Sequence, residues 1–138
     1  MTRQMYESPQ DIENERDVIG ECCMAWDCRA KKLACPPYKV DWMLSRESPD
    51  AFAEVKCRRQ FYDPFLIGLH KFSELTQLAQ CAGLRALIIV RWQERGTHWA
   101  DVTNGEHDGI HWMQDKRERE EADGEPCVAI AFERFRCL

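Results

Sequence analysis

The run Ala86-Leu87-Ile88-Ile89-Val90 limits the folds open to this chain more than any other stretch. It is too short to cross a membrane and has no polar side to offer water, so it reads as a strand covered on both faces. Ahead of it, Phe65, Leu69, Phe72, Leu75, Leu78 and Ala79 recur at three- and four-residue steps. That spacing predicts a helix from Phe65 to Cys81, closed by Gly83. A strand through Ala51 to Arg58 precedes the helix, and a strand, helix, strand order favours a right-handed crossover with parallel pairing. Gln93-Glu94-Arg95-Gly96 then reads as a hairpin turn, with Thr97 to Val102 returning antiparallel. The expected fold class is α/β: one domain over residues 1–138, with a mixed central sheet flanked by helices.

The first half of the chain carries the chemistry. Tyr38 to Leu44 and Ala51 to Arg58 are two apolar runs with charge on alternate residues, separated by the turn-rich Ser-Arg-Glu-Ser-Pro-Asp of Ser45 to Asp50. As strands, they place Lys39, Asp41 and Met43 on one face and Val40, Trp42 and Leu44 on the other, while Glu54 and Lys56 lie opposite Ala53, Val55 and Cys57. Pairing Leu44 with Ala51 sets Asp41 against Glu54, with Cβ atoms roughly 4.5–5.5 Å apart. Two carboxylates so placed repel unless a cation joins them. Hard divalent cations such as Mg²⁺ or Mn²⁺ take oxygen ligands of this kind, and Lys56 is next along the same face.

Upstream, Ser8 and Pro9 mark a helix start, and the helix is expected to reach Trp26. Ile12, Val18, Ile19, Cys22, Cys23 and Trp26 form its apolar stripe, with Glu15 at the centre. A carboxylate there needs either a cationic partner or a metal. Between this helix and the first strand, Asp27 to Pro37 is basic and ends in Pro36-Pro37, so Lys31 and Lys32 are expected in a loop or at a helix end. Lys31, Lys32, Lys39, Arg58 and Arg59 surround the carboxylates in sequence. Arg58, Arg59 and Tyr62 belong to a polar, aromatic loop suited to phosphate or base contacts.

Asp41, then Glu54-Val55-Lys56 on an adjacent strand, with an upstream helical Glu and a downstream helix and strand, resembles the PD-(D/E)xK nuclease superfamily. Small phage-encoded and resolvase-like members are the nearest in pattern, over about residues 11 to 102. One departure is Val40 where the motif has proline. The resemblance implies a restriction-endonuclease-like core and a metal-dependent DNA endonuclease or structure-specific nuclease. It also implies Mg²⁺ or Mn²⁺ held by Asp41, Glu54 and the Val55 carbonyl, Lys56 as the catalytic lysine, and Glu15 as the helical glutamate over the metal. Lys71 corresponds to a helix position that related nucleases use near the phosphate. DNA, branched or nicked, is the implied partner, and a homodimer is compatible with a chain that carries no dimer signature.

A net charge of −5 excludes a broadly basic nucleic-acid-binding surface and leaves room for a local basic groove. It also keeps open a rival reading, a phage accessory protein that binds nucleic acid or protein on the same fold without catalysis. Eight cysteines without a signal-peptide pattern or a C-x-x-C pair are expected as free thiols in a reducing cytoplasm; the resemblance to phage-encoded nucleases implies that of a phage-infected bacterial host. Cys127 to Phe132 reads as a final strand, completing the sheet or an oligomer contact, after a solvated charge run at Asp115 to Gly124.

Overall fold

The computed structural model describes residues 9–33, 40–112 and 126–138. In chain order the elements are α1 (Pro9–Trp26), β1 (Arg29–Lys32), β2 (Trp42–Ser45), β3 (Pro49–Arg58), β4 (Phe65–Gly68), α2 (Leu69–Ala82), β5 (Arg85–Trp92), β6 (Gly96–Asp101), β7 (Ile110–Trp112), β8 (Pro126–Ile130) and β9 (Arg136–Cys137). A short 3-10 turn, Phe132–Arg134, precedes β9. Six strands form a mixed central sheet in the order β1-β2-β3-β5-β6-β9, and β4-β8-β7 form a second, smaller sheet.

The apolar run lies at the centre of the large sheet. β5 pairs parallel with β3 and antiparallel with β6, and Ala86 through Val90 are all buried. Its side chains alternate between two cores, as a strand's period of two requires. Leu87 and Ile89 join Val18, Ile19 and Cys22 of α1 with Trp42, Leu44, Ala53 and Val55. Ile88 and Val90 join Phe72, Leu75 and Ala79 of α2, Phe52 of β3, and the small sheet's Phe65, Ile67, Val128 and Ile130. The α2 helix ends where Gly83 takes φ 72 in the left-handed region, its N–H and that of Leu84 returning to Gln80 and Ala79 carbonyls. A side chain at that φ would be strained, which is why glycine serves there.

Four sequence expectations change. Lys31 and Lys32 do not sit in a loop or helix end: they belong to β1, an edge strand paired antiparallel with β2. Arg-Ala-Lys-Lys carries no strand propensity, so the backbone pairing offered by β2 decides its conformation. Phe65 to Gly68 is strand rather than helix, because β8 pairs with it from across the chain and its burial alternates with period two. β8 itself falls in the small sheet, and the central sheet is completed instead by β9. Val40 does not share a face with Trp42 and Leu44, since a bend at residues 40–41 turns it into the α2-side core. Ser8, Pro36, Pro37, Lys39 and the charge run at 115–124 lie outside the described residues.

Candidate active site

The β2–β3 hairpin adopts the expected register, Leu44 opposite Ala51 and Trp42 opposite Ala53. One step further, Asp41 leaves the β2–β3 ladder at the bend: its carbonyl accepts the Leu33 N–H at 3.0 Å, and its side chain reaches β3. Its Oδ2 accepts the Val55 N–H at 3.1 Å. This bond fixes the Asp41 carboxylate beside Glu54 on β3. Lys56 follows two residues on, on the face that packs towards α2.

Glu54 is the unusual residue. It is 1% exposed, and its strand neighbour on β5 is Ile88. Neither of its oxygens has a hydrogen-bond partner among the described residues. Two ammonium groups stand just beyond hydrogen-bond range of Oε2: Lys71 at 3.5 Å and Lys56 at 3.6 Å. Burial is the main reason the Glu54 carboxyl is pushed up to about 7 from an ordinary 4.5, and repulsion from Asp41 adds to it; Lys56 and Lys71 pull the other way without cancelling these effects. Buried carboxylate oxygens with no donor and a second carboxylate alongside form an oxygen donor set suited to a hard divalent cation. The lysines supply partial charge balance in its absence. Among the described residues, no three His, Cys, Asp or Glu side chains gather closely enough to hold a metal ion.

The remaining expected residues divide by face. Glu15, on α1, accepts from Lys32 Nζ at 2.7 Å and from the Trp42 indole Nε1 at 3.0 Å, joining helix α1 to the β1–β2 edge. Lys32 also lies over the Trp42 ring, 5.3 Å from its centroid. Lys31 is exposed, and its strand partner Met43 packs against the α2-side core. Arg58, at the end of β3, lies over the Phe65 ring at 5.6 Å, with Arg59 and Tyr62 exposed beyond it. Val55 contributes its N–H to Asp41, and its side chain is buried towards α1.

The contact between Lys71 and Glu54 is a finding of the structure; the family resemblance implied only that Lys71 lies near the phosphate. A usable signal exists: Lys71 precedes Leu75 by four residues, so it shares the buried stripe of α2 one turn closer to the sheet's carboxylates.

A family model described as phage putative PDDEXK endonuclease matches residues 1–138 of the chain. The chain belongs to this family. It is a PDDEXK-type nuclease, and its mixed sheet with flanking helices is the fold of another such protein. The solved structure of Hjc, a Holliday junction resolvase from the archaeal hyperthermophile Archaeoglobus fulgidus, is similar with a TM-score of 0.59 at 15% identity over 88% of each chain. Identity at that level relates the PDDEXK chain to Hjc by fold. Comparison with curated proteins returned no match.

Proposed function

We propose that the protein is a divalent-metal-dependent DNA endonuclease, acting on branched or nicked duplexes in the cytoplasm of a phage-infected bacterium. The buried, donorless Glu54 carboxylate beside Asp41 carries this reading. Family membership gives it a chemical class. Hjc, similar in fold, is a resolvase of Holliday junctions, which are branched DNA, and this favours DNA here. No described helix is long and apolar enough to cross a membrane.

In this reading Asp41 and Glu54, with the Val55 carbonyl, hold Mg²⁺ or Mn²⁺. When bound, the ion supplies Lewis-acid polarisation of the scissile phosphate and a lowered pKa for the attacking water. The chain's residues do the rest. Lys56, on the same face as Glu54 and partly open to solvent, orients or deprotonates the water, or stabilises charge on the phosphoryl oxygens. Lys71, from the first turn of α2, steadies the Glu54 carboxylate and presents a second ammonium to the phosphate. Glu15 fixes the β1–β2 edge next to Asp41 through Lys32 and Trp42, and a role as direct ligand requires it to release Lys32. Lys31, Lys32, Lys39, Arg58, Arg59 and Tyr62 are the proposed nucleic-acid contacts around this centre.

The decisive experiment is cleavage of supercoiled plasmid and of a four-way junction with Mg²⁺, Mn²⁺ or EDTA, by wild type and Glu54→Ala. Metal-dependent nicking by wild type, lowered at least about a hundredfold in the variant, is the expected result. Equal cleavage by the two proteins removes the assignment. Mn²⁺ binding without cleavage of any DNA favours the non-catalytic reading.

A further inference from the structure

Beyond the carboxylates, the C-terminal ends of the parallel strands β3 and β5 support an aromatic cluster. Trp92 packs edge-on against Phe61 at 5.1 Å, Phe132 at 5.6 Å and Phe135 at 5.3 Å, with Phe61 and Phe132 themselves 4.9 Å apart. The Arg95 guanidinium lies over this cluster, its Cζ 3.8 Å from the Phe61 centroid and 5.4 Å from that of Phe132. A guanidinium centre 3.8 Å from a ring centroid is in contact with the ring's face, and a stacked guanidinium keeps its in-plane N–H donors available to an anion.

Arg95 differs from the arginines that hold the fold together. Arg85 pairs with Asp50, Arg91 with Glu21 and Arg134 with Asp108, each at 2.7 Å. Arg95 is exposed, and among the described residues no carboxylate is paired with its guanidinium. A flexible surface arginine costs side-chain entropy to hold in one orientation, and here aromatic stacking has already fixed it. The fixed orientation lies on the side of the sheet that carries Glu54. Glu54, Lys56 and Arg58 face Ile88, Val90 and Trp92 in the parallel register, and Trp92 is the base of the Arg95 platform. Arg58 stands near the same cluster, its Cζ 5.6 Å from the centroid of Phe65, a ring that adjoins Trp92 at 6.3 Å, while its guanidinium donates to the Cys57 carbonyl. At about 3.3 Å per residue, Arg58 is about 13 Å beyond Glu54 along β3. That equals about four base steps at the roughly 3.4 Å axial rise of one DNA strand. The C-terminal ends of parallel strands are also where α/β sheets bind ligands.

We propose that Arg95, stacked on Phe61 and Phe132, is a phosphate-binding residue that holds the DNA backbone several nucleotides from the scissile bond. The inference rests on the nuclease reading above and names a contact that the carboxylate motif does not include. Arg95 acts in binding and leaves the chemical step to the residues around Glu54.

The test is fluorescence anisotropy with a labelled duplex in EDTA, where cleavage does not interfere, at roughly 50 to 200 mM salt. Arg95→Gln is expected to weaken binding several-fold and to reduce the slope of log K against log salt by about 0.9, the loss of one phosphate contact. Arg95→Lys should keep the slope. Arg136→Gln, which removes a cation lying over Trp99 on the α1 side, should leave both affinity and slope near wild type. With Mg²⁺, Arg95→Gln should raise KM and leave kcat within about twofold. Arg95→Gln with a lowered melting temperature and a wild-type salt slope shows a structural cap on the aromatic cluster, and overturns the proposal while leaving the nuclease reading intact. Absence of DNA binding by wild type overturns both.

Discussion

Glu54 dominates the site because its environment opposes its charge. Burial and Asp41 push its carboxyl up to about 7, whereas an unfolded chain ionises it near 4.5. The folded protein therefore holds a proton that the unfolded protein releases between those two values. Stability supplied by this group is complete below about pH 4.5 and is lost as pH rises towards 7. At about 1.4 kcal/mol per pH unit the loss is about 3 kcal/mol. Urea denaturation in EDTA should show the metal-free protein losing stability from about pH 5 to about pH 7.5, with Glu54→Gln nearly flat over that range and more stable at its upper end. A wild-type profile as flat as the variant's contradicts the burial of an ionisable group there. Glu21 and Asp108, whose carboxyls Arg91 and Arg134 hold below their ordinary values, act with the opposite sign and at lower pH, where their contribution is lost as pH falls.

Between residue and fold, the joint made by Glu15, Lys32 and Trp42 ties helix α1 to the β1–β2 edge from which Asp41 projects. Glu15→Ala removes the carboxylate that the Lys32 ammonium and the buried Trp42 indole N–H share, at a cost of about 1–3 kcal/mol. Glu15→Gln keeps an acceptor for Trp42 and should lose less. Chemical denaturation measures both, and Mn²⁺ titration alongside separates the roles. Metal affinity falling further in Glu15→Gln than stability predicts identifies a direct ligand; parallel losses identify a positioning residue. This joint was half legible in the sequence. The helical wheel placed Glu15 on the buried stripe, because the periodicity of a helix is local information. Its partner was not legible, because Lys32 reaches it only when β1 pairs with β2, and that pairing leaves no trace in Arg-Ala-Lys-Lys. β4, and the sheet that β8 joins, stayed hidden for the same reason: the two strands define each other from far apart in the chain. Asp41, Glu54 and Lys56 could be placed in advance because a hairpin's register follows from its turn and the period of two.

At the scale of the molecule, two units of the chain, the β2–β3 hairpin and helix α2, converge on one carboxylate. The hairpin brings Asp41, Glu54 and Lys56, and the crossover helix α2 returns Lys71 over them before β5 locks parallel to β3. The net charge of −5 is compatible with DNA as substrate because the cations that matter line this one side, with Lys56, Lys71, Arg58 and Arg95 in succession. The site's integrity thus depends on spacing as much as on residue type, and the single bond from Val55 N–H to Asp41 sets that spacing. It makes the backbone between Asp41 and Trp42 a reading frame in its own right. One extra glycine inserted there leaves Trp42 and Leu44 on the faces where they are buried, so circular dichroism and the melting curve should stay close to wild type. The carboxylate, however, is carried one residue out of phase with Glu54, and nicking should fall to the level of Glu54→Ala with every functional side chain still present.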